Sequence, residues 1–172
     1  MQNFRYLRII IRIATMKRLL LILALAVATA VNADAQSIRL GERIPKIDVD
    51  SPLGNELELS AKGYICLLFI HSESEPCHVA MRELANLSTN LAEEMEIVLI
   101  TAEEQSCDDA IAALMGDVKY TLAYDLDHRT FKSFGINYVP FCVVYDTKHK
   151  RTEWFGAVQQ LTASILNRIT DK

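Results

Sequence analysis

Four cysteines are the residues of this chain with the widest chemical reach, and one of them, Cys77, stands where it could be used. It closes the stretch Phe69-Ile70-His71-Ser72-Glu73-Ser74-Glu75-Pro76-Cys77, where an apolar run gives way to polar residues and then to a new hydrophobic period. At a helix start, unpaired backbone N–H groups and the positive helix end favour a thiolate. His78 adds to that, while Glu73 and Glu75 oppose it. Net thiol–disulfide exchange needs two neighbouring thiols. At the three-residue spacing the neighbour is Ser74, whose hydroxyl neither ionises near neutral pH nor forms a disulfide. Two readings of Cys77 stay open. Either it is a sole nucleophile with Ser74 as a hydrogen-bond donor, or it is a semi-buried residue that only packs.

The other cysteines divide by context. Cys66 lies inside an apolar run and Cys142 in a second one, so both read as core residues. Cys107 follows the segment 96–101, on a loop or at the first turn of the next helix. Loops after neighbouring parallel strands emerge at one edge of a sheet. Cys107 is therefore a candidate resolving partner for Cys77, as a structural bridge or a displaced redox pair. His71, Cys77 and His78 lack zinc-motif spacing. Asp125, Asp127 and Asp146 lie in turns, lack the ordered calcium loop, and read as surface residues. No glycine-rich phosphate loop is present, so the sequence implies neither metal nor cofactor.

The elements that must position these residues follow from periodicity. Tyr64–Ile70 is a continuous apolar run, short enough for a strand buried on both faces, which implies helices on both sides of a sheet. Met81, Leu84, Leu87, Leu91 and Met95 recur at three- and four-residue steps, predicting an amphipathic helix over roughly 76–94. Glu96–Thr101 is a second strand, and Ser106 is placed to cap a following helix that Gly116 ends. Tyr120–Tyr124 is a short strand, Arg129–Phe134 a short helix stopped by Gly135, and Phe141–Tyr145 with Thr152–Phe155 a hairpin. Trp154 and Phe155 read as core or edge packing. A last helix carries Val158, Leu161, Ile165, Leu166 and Ile169, and Gly41–Leu59 reads as short edge strands and loops. The class is α/β, with a mixed central β-sheet flanked by helices.

Residues 1–35 read differently from the rest. Leu19–Val31 is an apolar run of 13 residues behind Lys17 and Arg18 and ahead of Ala33-Asp34-Ala35, the layout of a secretory signal peptide. It is shorter than the roughly 20 residues a membrane-crossing helix needs. Met16 begins a well-formed signal (16–35), and translation from Met1 or from Met16 stays open. The expected mature domain, 36–172, is periplasmic or secreted, or membrane-anchored if the signal is not cleaved. It holds 13 basic and 21 acidic residues, a net charge of -8, against -4 for the whole chain. Such a body offers no cationic surface for a phosphate backbone, which argues against nucleic acid.

The junction resembles that of the TlpA-like extracytoplasmic thiol-disulfide oxidoreductases, of the thioredoxin fold and related to the redoxins. Family members carry W-C-x-P-C at this point. Here Glu73 stands at the tryptophan, Ser74 at the first cysteine, Pro76 at the proline and Cys77 at the second cysteine. Gly41 and Pro45 resemble the family's G-x-x-x-P opening, and Gly54, Leu57 and Leu59 its following hairpin. Tyr138-Val139-Pro140 with Phe141–Asp146 resembles the cis-proline loop and its strand. The likeness spans about residues 40–170.

The resemblance implies a thioredoxin-like domain with Ser74-x-x-Cys77 in place of C-x-x-C, and loss of the two-cysteine cycle. It implies Cys77 and Ser74 as the residues of any remaining chemistry. Pro76, Val139 and Pro140 become the docking site for an extended or cysteine-containing polypeptide, although Pro140 could simply shape the strand entry. A further resemblance is to the peroxiredoxins, whose motif ends S-x-x-C like Ser74–Cys77. There Ser74 would hydrogen-bond a peroxide oxygen. Ile70 stands where that motif has proline, and Val139-Pro140 replaces its usual basic residue. The expected functions are thus a thioredoxin-like protein without dithiol exchange, a single-cysteine oxidoreductase or peroxidase, or a polypeptide-binding module.

Overall fold

The computed structural model describes residues 38–50, 63–88, 95–104 and 107–170. The chain divides into two units, Met1–Ala35 and Gln36–Lys172. The predicted signal, the Gly54–Leu59 hairpin, the helix end beyond Ser88 and the Ser106 cap lie outside the described residues.

In chain order the elements are β1 (Tyr64–Ile70), α1 (Glu75–Ser88), β2 (Met95–Thr101), α2 (Asp108–Met115), β3 (Thr121–Tyr124), α3 (Arg129–Phe134), β4 (Phe141–Asp146), β5 (Arg151–Gly156) and α4 (Ala163–Thr170). The strands form one sheet in the order β3-β2-β1-β4-β5. β1, β2 and β3 run parallel, while β4 and β5 are antiparallel to their neighbours. This is the mixed sheet that the order of apolar runs predicts.

β1 is central and buried along Ile65–Ile70, so its side chains serve two cores. Cys66, Leu68 and Ile70 face a cluster with Cys77, Ala80, Met81 and Leu84 of α1, Ile111 of α2 and Leu166 of α4. Ile65, Leu67 and Phe69 face a second cluster with Phe134 of α3 and Phe141, Val143 and Tyr145 of β4. The two-residue strand period alone makes this division.

Three expectations need correction. Asp125 is fully buried rather than a surface residue. Its Oδ2 accepts the Phe131 N–H at 2.8 Å, so it satisfies a free amide in the first turn of α3. Gly135, at φ 64, ends α3 in the left-handed conformation that glycine adopts without a Cβ penalty. The last helix is also shorter than predicted. Val158 opens a single 3-10 turn, Val158–Gln160, and Leu161 is non-helical, although both are buried. α4 starts only after Thr162, whose Oγ accepts the Ile165 N–H at 3.3 Å as an N-cap. Finally, Met95, counted in the helical period, opens β2 instead, while α1 begins at Glu75 as expected.

Candidate functional site

In the parallel half of the sheet, Ile70 of β1 pairs with Thr101 of β2. Two residues past each strand end the same register sets Ser72 beside Glu103, and the contacts agree. The Ser72 N–H donates to Glu103 Oε2 at 2.5 Å and the Ser72 hydroxyl to Oε1 at 2.6 Å. The Thr101 hydroxyl donates to Oε2 at 2.8 Å. His71 Nδ1 lies 3.4 Å from Oε1 and also 3.3 Å from the Glu73 N–H. One carboxylate thus ties the β1–α1 loop to the loop after β2. Burial works against the charge on Glu103, but the Ser72 and Thr101 hydrogen bonds and the His71 charge outweigh it. The carboxyl is held below its ordinary range.

The same loop holds Cys77. His71 donates its backbone N–H to Cys77 Sγ at 3.4 Å. Cys77 lies in the first turn of α1 and has no exposed surface. His78, the next residue, donates from Nε2 to the Ser72 carbonyl at 2.5 Å, and its Nδ1 faces Glu75 Oε2 at 3.1 Å. Arg82 reaches the other Glu75 oxygen at 3.4 Å. The loop is therefore held from β2 through Glu103 and from α1 through His78.

Ser74 directly precedes α1 and is half-buried; its carbonyl accepts the His78 N–H at 3.0 Å. Its hydroxyl meets no partner among the described residues. Pro76 is exposed at the second position of α1, where a missing N–H costs no helix bond. The Val139–Pro140 bond is cis. Phe141 pairs with Phe69 near the end of β1, so this loop and the Ser72–Ser74 loop lie at the same end of the sheet. Val139 packs against both cores, and Tyr138 is exposed with its ring edge-on to Phe141 at a centroid separation of 5.5 Å.

Cys107 stands at the N-cap of α2 without a side-chain cap bond. It is buried in the cluster that includes Cys77, and both are free thiols. Burial, with the charges of Glu103 and Asp108, pushes the Cys107 thiol up, the opposite of what a resolving thiolate needs. The structure thus brings Ser74, Cys77 and the Val139–Pro140 loop to one end of the sheet and shields both sulfurs. Sequence reasoning missed Glu103. A carboxylate two residues beyond a buried parallel strand was the available signal, because the neighbouring strand's loop must lie beside it.

No family model matches the sequence, and no curated protein matches it. Solved structures do. A Chlorobium tepidum protein assigned as a DsbE thiol:disulfide interchange protein is similar with a TM-score of 0.64 at 14% identity, over 77% of this chain and 99% of that one. A Bacteroides thetaiotaomicron protein assigned as a protein disulfide isomerase has a TM-score of 0.62 at 18% identity, over 78% and 92%. A secreted Mycobacterium tuberculosis disulfide oxidoreductase homologous to DsbE has a TM-score of 0.51 at 13% identity, over 60% and 81%. At these identities the likeness is one of architecture. The chain has the thioredoxin-like fold, shared with the DsbE-like thiol-disulfide oxidoreductases.

Proposed function

We propose that this is an exported thioredoxin-fold protein in which two-cysteine thiol exchange has been lost and an extended polypeptide binds beside Val139–Pro140. The observation that carries the reading is the state of the junction. The one sulfur there, Cys77 Sγ, has no exposed surface and accepts a backbone N–H, and the residue three positions earlier is serine. A thiol in that position neither reaches a substrate disulfide nor has a neighbour to complete the cycle. The same burial weighs against a peroxidatic Cys77, because peroxide must reach the sulfur.

What remains at this end of the sheet suits binding. Tyr138 presents an exposed ring, and the backbone of Tyr138 and Val139 makes no hydrogen bond among the described residues. An extended chain laid alongside pairs with such groups, as in strand addition. Export is supported by the signal-like layout of residues 16–35, and the neighbour from M. tuberculosis is a secreted protein.

Insulin reduction with dithiothreitol tests the loss of exchange. The protein is expected at background, and Ser74→Cys is expected to raise the rate well above it by restoring the second thiol. Robust turnover by the unmodified protein, abolished in Cys77→Ser, would overturn the reading. For binding, fluorescence titration with a reduced, carboxymethylated unfolded polypeptide should saturate. Tyr138→Ala should weaken it several-fold; an unchanged affinity would move the docking site elsewhere.

A further inference from the structure

Two cysteines that the sequence assigns to packing meet in the fold. Cys66 is in β1 and Cys142 in β4, and both project into the core on the α1 side of the sheet. Cys66 pairs with Val144 and Cys142 with Leu68, so the two are diagonal neighbours across the antiparallel ladder. Diagonal neighbours touch only where their side chains lean together. These do: the Sγ atoms are 3.3 Å apart. Neither residue has exposed surface. A disulfide bond is about 2.05 Å long, so closure asks for a further approach of about 1.2 Å.

We infer that Cys66 and Cys142 form a second thiol site, independent of Cys77, that closes to a cross-strand disulfide when the chain folds in the presence of a disulfide donor. The exchange balances in two steps. The thiolate of one cysteine attacks the donor, forming a mixed disulfide and expelling one donor thiolate. The thiolate of the other attacks the protein sulfur of that mixed disulfide, forming the Cys66–Cys142 bond and expelling the second donor thiolate. Two cysteine thiols are oxidised, the donor disulfide is reduced to two thiols, and the two cysteine protons end on the donor sulfurs.

Burial sets the timing. The hydrogen bond between the two sulfurs, and then burial, push the Cys142 thiol well up, and both side chains are fully buried, so the folded protein gives a donor no access. Exchange runs after β1 and β4 have met and before α1 covers this face. The bond spans a sequence separation of 76 residues, which restricts the unfolded chain. It ties the strand that leads into the Ser74–Cys77 junction to the strand that leaves the Val139–Pro140 loop. Its existence does not depend on what the junction does.

Full-length protein is refolded from denaturant with oxidised glutathione or with dithiothreitol. It is then quenched in acid, alkylated in denaturant and mapped by peptide mass. The reduced sample should carry four alkyl groups, one for each cysteine. The oxidised sample should carry two, on Cys77 and Cys107, with Cys66 and Cys142 in one linked peptide. Cys77→Ser should give the same linked peptide, and oxidised glutathione added to folded, reduced protein should give none. Alkylation of both Cys66 and Cys142 after oxidative refolding, linkage of either to Cys77 or Cys107, or folding only under reducing conditions would each overturn the inference.

Discussion

The α3 side of the sheet packs rings, with Phe69, Phe134, Phe141 and Tyr145 in the buried cluster and Phe131 and Phe155 against it. The α1 side packs sulfur, with all four cysteines and Met81, Met95 and Met115 in the opposite cluster. The rings interlock; Phe69 meets Phe131 edge-on at 5.0 Å and Phe134 at 5.4 Å. Aromatic contacts prefer particular geometries, whereas sulfur side chains adapt to irregular gaps. The rigid face thus anchors the strands, and the adaptable face receives the junction helix and holds every thiol.

The largest way to break this comparison is Phe69→Ala. Removing a fully buried ring from the anchoring face should cost about 3–5 kcal/mol, read as a lowered urea midpoint. A cost below about 1 kcal/mol would mean the ring cluster is not the anchor. A smaller, local effect is expected on the other side. Glu103→Ala strips the acceptor from Ser72 and Thr101 and should cost about 1–2 kcal/mol. Most of that should appear as local opening, so labelling of Cys77 in the folded protein should rise by about tenfold. Unchanged labelling would show that the loop is held by something other than this carboxylate.

The smallest effect is that of pH. The Glu103 carboxyl lies below its ordinary value in the folded protein, so its contribution is present at neutral pH. It is lost as pH falls below the ordinary glutamate range and through the lowered folded value. Urea midpoints should decline over that window and decline less in Glu103→Gln, which has no carboxyl to protonate. Equal slopes would assign the acid sensitivity to other groups, with Asp146 the next candidate: burial opposes its charge, but hydrogen bonds from His149 and Lys148 hold it low.

Much of the architecture was legible. Tyr64–Ile70 has no polar residue, and only a central strand covered on both faces can bury such a run. The α1 period exposes Arg82 and buries Ala80, Met81 and Leu84, as a helix on a sheet must. The sequence places Asp125 at the surface because a carboxylate in a turn is usually solvated, whereas a helix start bends over it here. The spacing of Val158 and Leu161 continues that of α4, but buried spacing alone does not reveal the non-helical backbone at Leu161 and Thr162 that separates them from it.

Local order along the chain therefore determined the strands, the helices and the serine at the spacing where a thiol pair would stand. Those features depend on side-chain period and residue type, which need no partner from elsewhere. Only tertiary packing decided that Cys77 is shielded, that Glu103 holds its loop, and that Cys66 touches Cys142. Each joins segments far apart in sequence, and their meeting is set by strand register and helix placement, which one segment's composition does not specify.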